Sequence, residues 1–203
     1  MLNLEEKALK FSFERYKGIK RKFGNMDYIN HPLTVATFVY KYKSHEDDEV
    51  LEELMAAAYL HDVLEPENVS IETTFEELVN LFGDRVANLV LQLTSIPEMI
   101  NGLGKKQYLA FSLQHMTTWA LTIKLCDRLA NIIDYLEWTF EHSEKMLEDT
   151  KFILDYIETN RKLTKTNKLI IKDIRKNLNE IEKHFENAPT PQLRMKYPTG
   201  EII

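Results

Sequence analysis

The stretch Met55-Ala-Ala-Ala-Tyr-Leu60-His61-Asp62-Val-Leu-Glu65-Pro66 runs six apolar residues into a histidine and an aspartate and then meets a proline. Helical periodicity carries this segment back to about Glu49 and forward to Leu64. Pro66 stops it, because a residue before proline is pushed out of helical geometry. Ala56, Ala57 and Ala58 leave room for neighbouring helices to approach closely. His61 and Asp62 stand where the pattern calls for burial, and a buried carboxylate needs a partner.

The same helical grammar extends in both directions. Upstream, residues 3–17 place Leu4, Ala8, Phe11 and Tyr16 near one face, and a basic, turn-rich loop runs from Lys17 to Asn30. Asn30 reads as the N-cap of a helix over His31 to Lys43, with Pro32 in its first turn. Downstream, Thr73 and Thr74 stand three residues before Glu76 and Glu77, the spacing of a capping box. The helix they open reaches Phe82, is punctuated by Gly83-Asp84, and resumes through Val86 and Leu93. Ser95 to Lys106 reads as a loop, Lys105 to His115 as a short helix and Thr117 to Phe140 as a long one. Two charged amphipathic helices follow, Ser143–Arg161 and Thr166–Phe185, and then a tail from Asn187 containing three prolines. The expected fold is all-α, a single bundle of about eight to ten helices. Its body is 1–142, with a helical extension over 143–186 packed on it and a flexible tail over 187–203.

Composition narrows the function classes. Of 203 residues, 44% are hydrophobic and 29% charged, and no apolar run approaches a membrane span. The N-terminus has no signal-peptide architecture, and the lone Cys126 excludes an internal disulfide or a cysteine-based zinc cluster. A cytoplasmic protein is the expectation. The net charge of −6 argues against a nucleic-acid polymer as partner but leaves room for a small anion in a local basic pocket.

Four polar residues break otherwise apolar helices: His31, His61, Asp62 and Asp127. Two histidines and two aspartates satisfy one another by sharing a divalent cation, and the mixed nitrogen and oxygen set suits Mn, Fe, Zn or Co better than Ca. Glu65 falls four residues after His61, on the same helical face, where it is placed to orient a water or take its proton. Lys124, Asp127, Asn131 and Asp134 recur at spacings of three and four, the stripe of a helix that lines a ligand cleft.

The order His, His-Asp, Asp resembles the HD-domain superfamily of metal-dependent phosphohydrolases, and four phrases resemble the Rel/SpoT-type (p)ppGpp hydrolase domain in a small stand-alone form. The first is Arg21-Lys22-Phe-Gly-Asn-Met-Asp-Tyr28-Ile-Asn-His31-Pro32. The second is Ala58-Tyr-Leu60-His61-Asp62-Val-Leu-Glu65. The third runs from Phe82-Gly83 through Val86 and Val90 to Leu93-Thr94. The fourth is Lys124-Leu-Cys-Asp127-Arg128-Leu-Ala-Asn131.

That resemblance implies one divalent ion, most commonly Mn2+, held by His31, His61, Asp62 and Asp127. It implies hydrolysis of the 3′-pyrophosphate of guanosine alarmones, the signals of the stringent response, to GDP or GTP and pyrophosphate. Glu65 and Asp62 are then the catalytic carboxylates, and Arg21, Lys22, Lys105, Lys124 and Asn131 the substrate contacts, with Lys106 an alternative to Lys105. Two positions depart from the pattern. Pro66 stands where the family usually has a second acid, with Glu67 one residue further on, and Phe23 replaces a small polar residue. Both departures fall on the substrate side. They keep open another phosphorylated nucleotide, such as the 2′-phosphate of NADPH, or a catalytically weak nucleotide-binding module.

Overall fold

Residues 2–186 are described in a computed structural model, and the expected flexible tail over 187–203 lies outside the described residues. Asn3 accepts from the Glu6 amide while the Glu6 carboxylate accepts from the Asn3 amide, a reciprocal cap that opens α1 (Leu4–Arg15). Then come α2 (Asn30–Lys43), α3 (Asp48–Leu60), α4 (Phe75–Leu93), α5 (Pro97–Leu103), α6 (Lys105–His115), α7 (Thr118–Ile133), α8 (Phe140–Asn160) and α9 (Lys165–Glu186). There is no strand among the described residues. A single bridge between Lys20 and Asp27 pinches the basic loop into a hairpin-like strap, turned at Gly24 and Asn25, both at positive φ.

Apolar burial explains the arrangement. Ala56, Ala57 and Ala58 are fully buried and let α3 seat against α1, α2 and α4. α7 is buried on most sides, with Leu121, Ile123, Leu125 and Ile132 in the core, and packs against both α2 and α9. Ile153, Leu154 and Ile157 of α8 and Ile170, Ile171 and Ile174 of α9 join the same core, α8 lying on α6 and α9 on α7.

Several boundaries differ from the sequence reading. Asn30 is the first residue of α2 rather than its cap: Ile29 already has helical angles, and the Asn30 amide side chain donates to the Asp27 carbonyl. α3 ends at Leu60, four residues earlier than expected. There His61 Nδ1 takes the Ala58 carbonyl at 2.9 Å, and the chain tightens through shorter bonds from Val63 to Leu60 and Glu65 to Asp62. The expected loop over Ser95–Lys106 contains α5, started by Pro97 and ended at Gly104. The expected long helix to Phe140 stops at Ile133, because Thr139 accepts from the His142 amide and caps a new helix. Gly83, at φ 81° and ψ 165°, kinks α4 where punctuation was expected, in a conformation that glycine adopts without strain.

Candidate metal centre and its cleft

Three helices converge on one buried point. The first turn of α2 delivers His31, the tightened end of α3 delivers His61 and Asp62, and the middle of α7 delivers Asp127. All four are buried. His31 Nε2 lies 3.1 Å from Asp127 Oδ1, and His61 Nε2 lies 2.9 Å from Asp62 Oδ2. The two Nε2 atoms face each other at 3.3 Å. His31 Nε2 to Asp62, and His61 Nε2 to Asp127, are each 3.9 Å. Ligand atoms of His31, His61 and Asp127 all lie within 4.8 Å of one another, with Asp62 beside them.

The tautomers indicate what belongs there. His61 Nδ1–H donates to the Ala58 carbonyl, so in the neutral ring Nε2 carries a bare lone pair. That lone pair faces a second imidazole nitrogen and carboxylate oxygens in a water-poor interior, an arrangement that repels itself unless a cation sits between. A backbone carbonyl on the far nitrogen is also the usual way a metal-bound histidine is oriented. The donor chemistry therefore fits a divalent ion taking nitrogen and oxygen.

The four groups also set one another's charge. Burial alone would raise both carboxyls. For Asp62, the imidazole of His61 overrides it, and for Asp127 the ammonium of Lys124 and the ring of His31 do, so both are held below the usual carboxylate range. Burial pulls His31 toward its neutral form, whereas for His61 the adjacent Asp62 outweighs burial and raises it.

The cage opens into a cleft of about 590 Å³, a size suited to a small ligand. Glu65 lines it, its Oε1 accepting from the Ser95 amide and its Oε2 from Asn68 Nδ2, both at 2.9 Å. Burial, reinforced by Asp62, raises its pKa. Glu67 stands exposed on the rim. Of the expected substrate contacts, Lys105, Lys22 and Asn131 line the cleft. Arg21 does too, with Nη2 donating to Asn131 Oδ1 at 3.0 Å and Asp134 Oδ2 at 3.1 Å. Lys124 is turned into the cage, 3.0 Å from Asp127 Oδ2, and its ammonium is kept charged against burial by Asp127, Asp62 and Glu65. Lys106 faces away and pairs with Glu148 at 2.7 Å. Phe23 packs on the His142 ring at 4.6 Å, which in turn meets Trp138 edge-on at 5.0 Å.

Sequence reasoning passed over several lining residues. Tyr28 Oη donates to Asp62 Oδ2 at 2.7 Å. One face of α8 supplies His142, Lys145, Met146 and Asp149, at the i, i+3, i+4, i+7 spacing of a single stripe. Arg128, which carries no role in the sequence reading, lines the cleft with Nη1 3.0 Å from Met146 Sδ.

Comparison with known proteins follows this geometry. A family model described as HD domain matches residues 8–153. Guanosine-3′,5′-bis(diphosphate) 3′-pyrophosphohydrolase MESH1 of Xenopus tropicalis is 35% identical over 138 residues, covering 66% of this chain and 70% of that protein. The Danio rerio protein of the same name is 32% identical over 128 residues, 63% of this chain and 66% of that one. The guanosine-3′,5′-bis(diphosphate) 3′-pyrophosphohydrolase of Aquifex aeolicus is 31% identical over 154 residues, 71% of this chain but a 20% share of that longer protein. The chain thus spans about two thirds of the vertebrate relatives it matches. A solved structure reported as a metazoan ortholog of SpoT that hydrolyses ppGpp and plays a role in starvation responses shares the fold. Its TM-score is 0.67 at 23% identity, covering 91% of this chain and 97% of that one.

Proposed function

The chain belongs to the HD-domain family, and from that premise we propose that it is a (p)ppGpp 3′-pyrophosphohydrolase that uses one divalent ion, Mn2+ by preference. The observation that carries this reading is the buried convergence of His31, His61, Asp62 and Asp127 beside a nucleotide-sized cleft, in a chain whose relatives bear that activity in their names. The body over 1–142 holds the cage, and the extension over 143–186 completes the cleft. The nucleotide substrate makes the cytoplasm its setting.

A divalent ion held by these four residues supplies Lewis acidity, lowering the pKa of water and offsetting phosphoryl charge. The chain does the rest. Ala58 fixes the His61 ring and Tyr28 fixes Asp62. Glu65, anchored by Ser95 and Asn68, takes a proton from the attacking water and gives it back to the leaving ribose 3′-oxygen as the bond from that oxygen to phosphorus breaks. Arg21, Lys22 and Asn131 hold the nucleoside end, where a planar guanidinium suits a purine face.

Incubating the Mn-loaded chain with ppGpp should release pyrophosphate and GDP, and neither EDTA-treated protein nor His61→Ala should do so. NADPH serves as the parallel substrate. Silence on ppGpp with metal still bound, or release that survives EDTA, would overturn the reading.

A further inference from the structure

Asn131 stands between two groups that together allow its amide one orientation. Arg21 Nη2 lies 3.0 Å from Oδ1, and a guanidinium offers donors alone. On the other side, Nδ2 lies 2.7 Å from Asp127 Oδ1 and 3.1 Å from the Asp127 carbonyl, both of them acceptors. The amide oxygen therefore faces the strap and the amide nitrogen faces the cage. With Nδ2 engaged twice by Asp127, Asn131 keeps one lone pair of Oδ1 for a ligand.

The oxygen that Asn131 holds is the one turned to the metal centre. Asp127 Oδ1 lies 3.1 Å from His31 Nε2 and 3.9 Å from His61 Nε2, while Oδ2 meets Lys124 at 3.0 Å. With one oxygen on Asn131 and the other on Lys124, the carboxylate cannot rotate without breaking both contacts. Arg21 is itself held by the strap. Its amide donates to the Met26 carbonyl at 2.8 Å, the Tyr28 amide donates to the Ile19 carbonyl at 2.9 Å, and its guanidinium lies 5.9 Å from the Tyr28 ring. The strap thus reaches both acids of the cage, Asp62 through Tyr28 and Asp127 through Arg21 and Asn131.

Resting on the metal centre proposed above, we infer that Asn131 is a positioning residue for Asp127 and that Arg21 acts through it, so that the strap sets how tightly the ion is held. A partner that fixes the direction of a ligand strengthens the site it belongs to. Charge alone gives the opposite sign for Arg21. Removing a cation near the centre, and leaving Asp134 without its partner, makes the surroundings more negative and should tighten a divalent ion. A weaker site without Arg21 therefore reports the hydrogen-bonded chain.

Calorimetric titration of Mn into the full chain, with no nucleotide present, tests this. Kd should rise by about 10–100-fold in Asn131→Ala and by about fivefold in Arg21→Ala, the contribution of one hydrogen bond. The double variant should bind no more weakly than Asn131→Ala, because Arg21 has no route to Asp127 once the amide is gone. Lys168→Ala, exposed on α9, should match the wild type. Thermal melts in EDTA check the fold, and if Asn131→Ala melts early, Arg21→Ala decides alone. Excess Mn should restore kcat to Asn131→Ala. An unchanged Mn Kd with a raised KM for ppGpp would make Asn131 a substrate contact only and overturn the inference, as would a tighter site in Arg21→Ala. If Mn affinity falls as expected while no variant and no wild type acts on ppGpp, the positioning role stands and the hydrolase reading falls. A wild type that takes up no divalent ion removes the centre and this inference with it.

Discussion

Tyr28 Oη donates to Asp62 Oδ2 at 2.7 Å, across 34 residues of chain, so the basic strap is tied to the cage by one buried hydrogen bond. The same oxygen lies 2.9 Å from His61 Nε2. Tyr28 therefore fixes the direction of Asp62 without reaching the centre itself. A carboxylate that loses such a partner loses about 1.5–3 kcal/mol of charge-assisted bonding. Tyr28→Phe should keep the ring packing against Tyr16 and weaken Mn binding by about 10–100-fold, the range seen when a partner of a ligand is removed. Titration with Mn followed by elemental analysis checks it, and an unchanged affinity would detach Tyr28 from the centre.

Metal removal should be felt in stability. An ion bound at a concentration of 100 times its Kd adds about 2.7 kcal/mol, which in a chain of this size is worth about 5–10 °C in Tm. Thermal melts with saturating Mn and with EDTA should differ by that amount in the wild type and coincide in Asp127→Asn. Coincidence in the wild type would argue that these residues hold no ion.

Glu65 is held by a backbone amide and a side-chain amide, not by the cage. Glu65→Gln keeps both its size and an oxygen for the Ser95 amide. Metal content should therefore stay at the wild-type level while turnover falls by about 10²–10⁴-fold, as expected for loss of a general base. Retained turnover would move that role to exposed Glu67 on the rim.

What the sequence made legible, and what it hid, divides along physical lines. His31, His61, Asp62 and Asp127 stood out because a polar group inside an apolar period has few bland explanations, and all four are buried. Tyr28 did not, since an aromatic in a loop carries no sign of a partner 34 residues away. The α8 wall was hidden for a different reason. His142, Lys145 and Asp149 show the same polar stripe whether they face solvent or a cleft, and only the packing of α8 on α6 decides. Asn30 misled because its side chain suits a cap, whereas the turn at Ile29 had already started the helix. The end of α3 was misplaced because Pro66 marks the last possible stop, and His61 competes for the Ala58 carbonyl before it.

The link between α2 and α9 carries a pH signature away from the cage. Tyr42 Oη donates to Asp173 Oδ2 at 2.5 Å, and Lys41 Nζ lies 3.1 Å from the same oxygen. The hydrogen bond from Tyr42, with help from Lys41 and against partial burial, holds the Asp173 carboxyl below its ordinary value. A carboxyl whose folded pKa is depressed stabilises the fold above its unfolded pKa of about 3.9, and the contribution is lost as pH falls through the lower, folded value. Asp173→Asn should therefore cost about 1 kcal/mol at pH 7, a charge-assisted bond discounted for its partial exposure. The gap from wild type should narrow as pH drops below about 4, where the unfolded chain already carries the proton. Urea unfolding at pH 7 and pH 3 measures both ends. A gap equally wide at pH 3 would mean that Asp173 acts through its shape and not through its charge.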